Sequence, residues 1–203
     1  MATYTTPRTI IMTLLVGALL TPSLREAEAA ALPAPVFTSE TDAAAYEWTQ
    51  NLFTAAGFEF PTAIVEFHRD DEACGGARGR TRFGAADETA TILVCATHHN
   101  PEVEDIWRQR TLLHELAHAW VDQNVDEAPT AAFMELRGTE VWSAREQAWQ
   151  DRATEHAAEI LMWGIQDGDY EVDFRIDNTG CEQLSSGYEL LTGVVVGCDV
   201  PSA

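Results

Sequence analysis

The apolar positions along this chain change period several times, and each change marks an element. From Thr41 to Ala56, Ala45, Trp48, Leu52 and Phe53 recur three and four apart. That spacing predicts an amphipathic helix, and Gly57 supplies its stop. Thr62 to Phe67 alternates and is rich in β-branched residues, which predicts a strand. Asp70 to Arg82 is polar and glycine-rich and reads as loop. Thr89 to Cys95 is the clearest strand, a short apolar run heavy in β-branched residues. Ile106, Leu113, Ala117, Trp120 and Val121 then return to the helical rhythm. Asn100 and Pro101 offer an N-cap followed by proline at the first helical position, and Glu102, Glu104 and Asp105 suit the positive end of the dipole. This helix is expected over residues 101–124.

Three further helices follow: a short one near Pro129 to Arg137, one from Asp151 to about Trp163, and one over Glu182 to Leu191. In the second of these, Asp151 is the expected cap, Ala153, Ala157, Ile160 and Gly164 trace the apolar stripe, and Gly164 and Gly168 flank the end. No internal repeat and no second domain is visible. The expected fold class is α+β: a small, mostly antiparallel sheet followed by a helical C-terminal half, with a groove between them.

One helix carries chemistry. His114-Glu115-Leu116-Ala117-His118 reads H-E-x-x-H. Residues four apart share a helix face, so both imidazoles reach one point, with Glu115 beside them. Two neutral nitrogens and a carboxylate base are what a zinc hydrolase requires. The histidines flank the apolar stripe, which predicts partial burial. A pair of hydrogen-bonded core histidines is the bland alternative, and it gives Glu115 no role.

Catalytic zinc takes three protein ligands and leaves one position for water. No third histidine follows His118 at short range. The expected third ligand is Glu155 on the next long helix, with Glu159 as its rival. The two glutamates are one turn apart and share a face, where like charges repel unless a cation lies near. With Glu155 on the metal, Glu159 would accept the free ring N–H of His114 and orient it. A solvated acidic face is the other possibility.

His114-Glu115-x-x-His118 followed by Glu155-x-x-x-Glu159 resembles the gluzincin branch of the zincin metallopeptidases. There one helix supplies H-E-x-x-H and a second supplies a glutamate with an acidic residue one turn on. The family often has asparagine before the ligand glutamate and aspartate at the last place; here Thr154 and Glu159 stand instead. The chain is therefore more similar to a small, divergent secreted zincin of bacterial type. The resemblance implies one catalytic Zn2+ held by His114, His118 and Glu155, with Glu115 as general base on a peptide or protein substrate. It also implies that a sheet strand borders the cleft and pairs with extended substrate, a role Thr89 to Cys95 would fill unless it is an ordinary internal strand. An oxyanion donor is expected among Tyr170, Tyr188, His156, His98 and His99, which sequence does not rank. His98-His99 reads otherwise as an exposed loop pair.

Charge narrows the partners. The formal net charge is −21 and all 12 basic residues are arginine. A basic nucleic-acid groove is not expected, since phosphates need a positive surface. The acidic surface would attract cationic substrates at long range, or reflect lineage or a salty habitat.

Residues 1–30 read as a signal peptide: Arg8, an apolar run from Ile10 to Leu20, Thr21-Pro22, and A-x-A sites at Ala27 to Ala29 and Ala29 to Ala31. An uncleaved anchor is the alternative. Residues 31–40 form a linker, with Leu32 to Pro35 rich in proline and alanine, and 41–203 a single zincin-like domain. A secreted product with no stable membrane anchor is expected. Four cysteines then suggest two disulfides. Cys74–Cys95 and Cys181–Cys198 are favoured because each closes a loop of about 20 residues, worth roughly 3 kcal/mol. A zinc held by all four is the weaker rival, because no C-x-x-C pair exists. Three other functions compete with the peptidase: a secreted, non-catalytic zinc-binding domain, a metal-free structural protein, and a zinc hydrolase for a non-peptide bond.

Overall fold

The structure is a computed structural model that describes residues 33–84, 89–95, 101–144, 146–166 and 175–197, without the side chains of 101–104. The chain divides at Ala31, and the expected signal segment, Asn100, His98, His99, Tyr170, Gly168 and Cys198 all lie outside the described residues. Cys181 is itself disulfide-bonded, and its expected partner Cys198 lies outside the described residues. Among the described residues no helix is long and apolar enough to cross a membrane.

Among the described residues, five α-helices and a three-stranded mixed sheet make an α+β fold: α1 (Glu40–Ala55), β1 (Ala63–His68), β2 (Gly79–Arg82), β3 (Ala90–Cys95), α2 (Pro101–Asn124), α3 (Glu127–Arg137), α4 (Ala153–Ile165) and α5 (Cys181–Thr192). The order β1-β3-β2 puts β3 in the centre, parallel to β1 and antiparallel to β2. Two expectations fall here. The sheet is mixed instead of mostly antiparallel, and the last four residues of the supposed 70–82 loop are a strand. Gly79-Arg80-Thr81-Arg82 alternates but carries almost no apolar side chain, so hydrophobic period alone could not reveal it.

The central place of β3 follows from its composition. Ala90, Ile92 and Val94 face the main core, while Leu93 and Cys95 face a second cluster with Cys74. A strand apolar on both faces belongs inside a sheet, not at its edge. With both edges paired, β3 cannot receive an extended substrate, which corrects that expectation. The Cys74–Cys95 disulfide is formed and ties the 69–78 loop to the end of β3.

Helix α2 touches β2 and β3 as well as α1 and α4. Leu112, Leu113, Leu116, Ala117, Ala119, Trp120 and Val121 are all buried. Ile106 is instead 63 % exposed, because the sheet and α4 cover only the later turns. Helix α4 is buried almost all round, from Ala153 to Ile165. Asp151 does not cap it. That residue ends a 3-10 turn (Trp149–Asp151), and Arg152 holds the cap position while its side chain donates to Gln147 O instead of capping the helix. Gly164 lies within α4, where Tyr188 of α5 packs so closely that a Cβ would stand 2.1 Å from the ring.

A buried ion pair sets the angle of α2 on α1. Asp42 is fully buried; it accepts from Thr38 N at 2.7 Å and Thr38 Oγ1 at 2.6 Å, and Arg108 of α2 donates to its other oxygen. Arg108 also donates to His68 O at 3.3 Å, so one guanidinium joins α1, β1 and α2. Breaking such a pair leaves a charge in the core without its partner. Arg108→Met should lower unfolding free energy by about 3–5 kcal/mol, read from urea denaturation. A loss within 0.5 kcal/mol, as at ordinary surface sites, would show that the pair orders nothing.

Candidate metal centre

Buried polar side chains need partners, and α4 carries three: Glu155, His156 and Glu159. Each finds one on another element. His156 accepts from Arg137 Nε at 3.1 Å on Nδ1, and its Nε2–H donates to Gln150 O at 2.6 Å. Burial and then the nearby Arg137 charge hold this imidazole below its ordinary range, against the Gln150 bond, so it is neutral. It is thus a packing residue, not an oxyanion donor. Tyr188 is likewise buried among core groups, against Gly164 and Phe58.

Glu155 and Glu159 meet the histidines of α2. His114 Nε2 and His118 Nε2 each lie 3.1 Å from Glu155 Oε2, and 3.1 Å from one another. The three atoms form an equilateral triangle. Ligand atoms at 2.0–2.1 Å from a tetrahedral ion stand about 3.3 Å apart, so the triangle is close to one face of such a tetrahedron. These three residues are the group of described side chains able to hold a metal ion.

Glu159 supports the cluster from behind. Its Oε1 lies 3.3 Å from His114 Nδ1, and its Oε2 lies 3.5 Å from Arg110 Nη2. With Nδ1–H directed at Glu159, the Nε2 lone pair of a neutral His114 points at the triangle. Trp149 stacks over the same ring, 5.8 Å between centroids at 28°, and covers it from solvent.

Glu115 faces a different neighbour. Thr81 Oγ1 on β2 donates to Glu115 Oε2 at 2.7 Å. Two residues earlier the strand must pass tight against α2: a Cβ on Gly79 would lie 2.5 Å from Thr111 Cγ2 and 2.6 Å from Glu115 Oε1. Only glycine lets the edge strand come this near. His114, Glu115 and Glu159 all line one cavity of about 360 Å³, shared with Gly79, Trp107, Trp149 and three arginines.

The expected residues therefore converge: His114, His118 and Glu155 as a triangle, Glu159 behind it, Glu115 on the cavity wall. Thr81, Gly79, Trp149 and the arginines were not anticipated. A glycine opening a period-two run, Gly79-Arg80-Thr81, was the one available signal for the first two.

The proton balance of the cluster is shifted strongly. Burial pulls His114 down, but hydrogen bonds to Glu155 and Glu159 and the charge of Glu115 outweigh it and push the ring up to about 10. Burial raises Glu155 and the two imidazole bonds outweigh that, leaving its carboxyl well below the usual range; Glu159 shifts in the same direction, held by His114 and Arg110.

No family model, curated protein or solved structure matches the chain.

In chelator-treated protein the raised His114 contributes stability in full below its ordinary value of 6.5, and that contribution is lost as pH rises toward about 10. The depressed Glu155 contributes above its ordinary value of 4.5 and less as pH falls below it. The stability gap between wild type and Glu155→Gln should be widest between pH 4.5 and 6.5 and shrink on both sides, measured by urea denaturation across pH. A gap independent of pH would mean that the two groups do not share a proton as drawn.

Proposed function

We propose that the chain is an exported zinc-dependent metallopeptidase of the zincin type, with His114, His118 and Glu155 as ligands and Glu115 as general base. The observation that carries the reading is the triangle of 3.1 Å separations between two imidazole nitrogens and one carboxylate oxygen, drawn from two helices. The donor set fits zinc: two imidazoles and a carboxylate, with His114 and the base Glu115 both on the wall of the neighbouring cavity. The Cys74–Cys95 disulfide supports an oxidising destination.

Zinc at this site would supply Lewis acidity, stabilising negative charge on a scissile carbonyl and making water a stronger acid. The chain's own groups do the rest. Glu115 takes the proton from the attacking water and returns it to the departing amine. Thr81 fixes the Glu115 carboxylate by occupying Oε2, which leaves Oε1 as the proton acceptor. Glu159 holds His114 in the tautomer a ligand needs. Trp149 shields the ring and keeps bulk water from the cluster. The extended segment nearest Glu115 is β2, whose sheet partner is β3 on one side; a peptide laid along its other side would pass the base.

The test separates metal from chemistry. Glu115→Gln should keep one zinc per chain by elemental analysis and lose peptide hydrolysis by about 100-fold or more, the usual scale for a general base. Glu155→Ala should lose the zinc itself after dialysis against a weak chelator. Full turnover in the Glu115 variant would remove the proposed base, and full zinc in the Glu155 variant would move the third ligand elsewhere.

A further inference from the structure

The cavity beside the metal cluster has a charge opposite to that of the molecule. The chain carries 33 acidic residues and 12 arginines, yet three arginines converge on this one cavity: Arg78, Arg110 and Arg175. Two carboxylates, Glu115 and Glu159, line it with them. Glu159 lies 3.5 Å from Arg110 and 3.3 Å from His114, and Glu115 is engaged by Thr81. Among the described residues no carboxylate lies within ion-pair distance of Arg78 or Arg175.

These two guanidiniums are instead set against tryptophans. Arg78 lies over Trp107, 3.8 Å from guanidinium carbon to ring centroid, and Arg175 lies 5.9 Å over Trp149. An aromatic face orients a guanidinium and leaves its N–H edge free to bond. The Nη1 of Arg78 is buried and makes no hydrogen bond among the described residues. Burial and then the charges of Arg175 and Arg110 lower the proton affinity of Arg78, so the three cations stand close enough to repel. A buried donor without an acceptor and a knot of like charge both cost free energy. An oxyanion between the arginines would relieve both, and zinc on the neighbouring ligands would add to the attraction. General acidity of the surface would draw cationic substrates, but at contact this cavity selects the opposite sign.

We infer that Arg78, Arg110 and Arg175 form a subsite for a substrate carboxylate, so that the enzyme prefers peptides with an acidic group next to the bond it cuts. This rests on the peptidase reading above. The carboxylate comes either from a glutamate or aspartate side chain or from the C-terminus of the peptide. The walls of Trp107 and Trp149 would pack the methylenes that carry it.

The experiment uses the full zinc-loaded chain and a peptide it cleaves, remade with glutamate or glutamine at each residue flanking the cut, and with a free or amidated C-terminus. A charge-assisted contact predicts kcat/KM about tenfold higher for glutamate than for glutamine at one position, or for the free over the amidated end, and the position of the effect names the source. In Arg175→Gln, a change at an exposed residue that threatens no core packing, this ratio should fall toward one; Arg78→Gln should do the same. Equal kcat/KM across all pairs, or a ratio that survives both substitutions, overturns the subsite. A second arm needs no turnover. The zinc-loaded Glu115→Gln protein is titrated calorimetrically with an acetylated hexa-alanine amide carrying one glutamate, then with its glutamine twin. Tighter binding of the glutamate peptide, with no hydrolysis by wild type, supports the subsite and sinks the peptidase. Equal binding of both peptides, with hydrolysis by wild type, sinks the subsite and leaves the peptidase standing.

Discussion

A carboxylate that leaves water must meet positive charge or a set of donors, and the centre of this protein is organised by that requirement. Helix α4 is apolar on nearly every face and is packed accordingly. Two glutamates on such a helix would each cost several kcal/mol if buried alone. Their partners sit on α2, where two partly buried histidines face the same packing surface. Neither helix can be buried without the other. The α2–α4 packing is therefore specified by polar groups as much as by Leu113, Leu116, Ala157 and Ile160 beside them.

The same constraint links the charge of the cluster to its protons. Glu155 lies at hydrogen-bond distance from both imidazoles through one oxygen. In metal-free protein, burial pulls His114 down, and its hydrogen bonds to Glu155 and Glu159 with the charge of Glu115 outweigh that and favour the protonated ring. A divalent ion would displace that proton and satisfy all three atoms at once, so metal affinity, proton release and stability are one linked equilibrium. Glu159 sits outside the triangle and serves both states, since His114 Nδ1 donates to it whether the ring is charged or neutral.

Much of this was legible in the chain and some was not, for physical reasons. The helix over residues 101–124 was readable because its caps and stripe agree, and its boundaries match. Glu155 and Glu159 were readable because two like charges one turn apart on an apolar helix repel unless positive charge lies near them. The strand β2 was hidden because its identity comes from pairing with β3 and from close passage past α2, neither of which leaves a hydrophobic mark. Ile106 misled because an apolar residue on the right side of a helix is buried only where something packs on it. Asp151 misled because a 3-10 turn intervenes between the apparent cap and the helix. The arginines were the hardest to place: Arg78, Arg110 and Arg175 come from three separate segments, and only the tertiary fold brings them to one cavity.

That cavity shows why net charge is a poor guide to the local charge of a site. A formal charge of −21 spread over a surface acts through solvent, where ions attenuate it over about 8–10 Å. Three guanidiniums facing a half-enclosed space act at contact, where little water or salt intervenes. The two fields answer different questions. The outer one affects solubility and the rate at which charged molecules arrive; the inner one decides which of them can stay. Lining the inner wall with arginine instead of lysine sharpens the distinction, because a planar guanidinium held on an indole keeps its charge and its direction. The fold thus gathers three of its twelve arginines on one cavity, in a chain where acidic residues number 33.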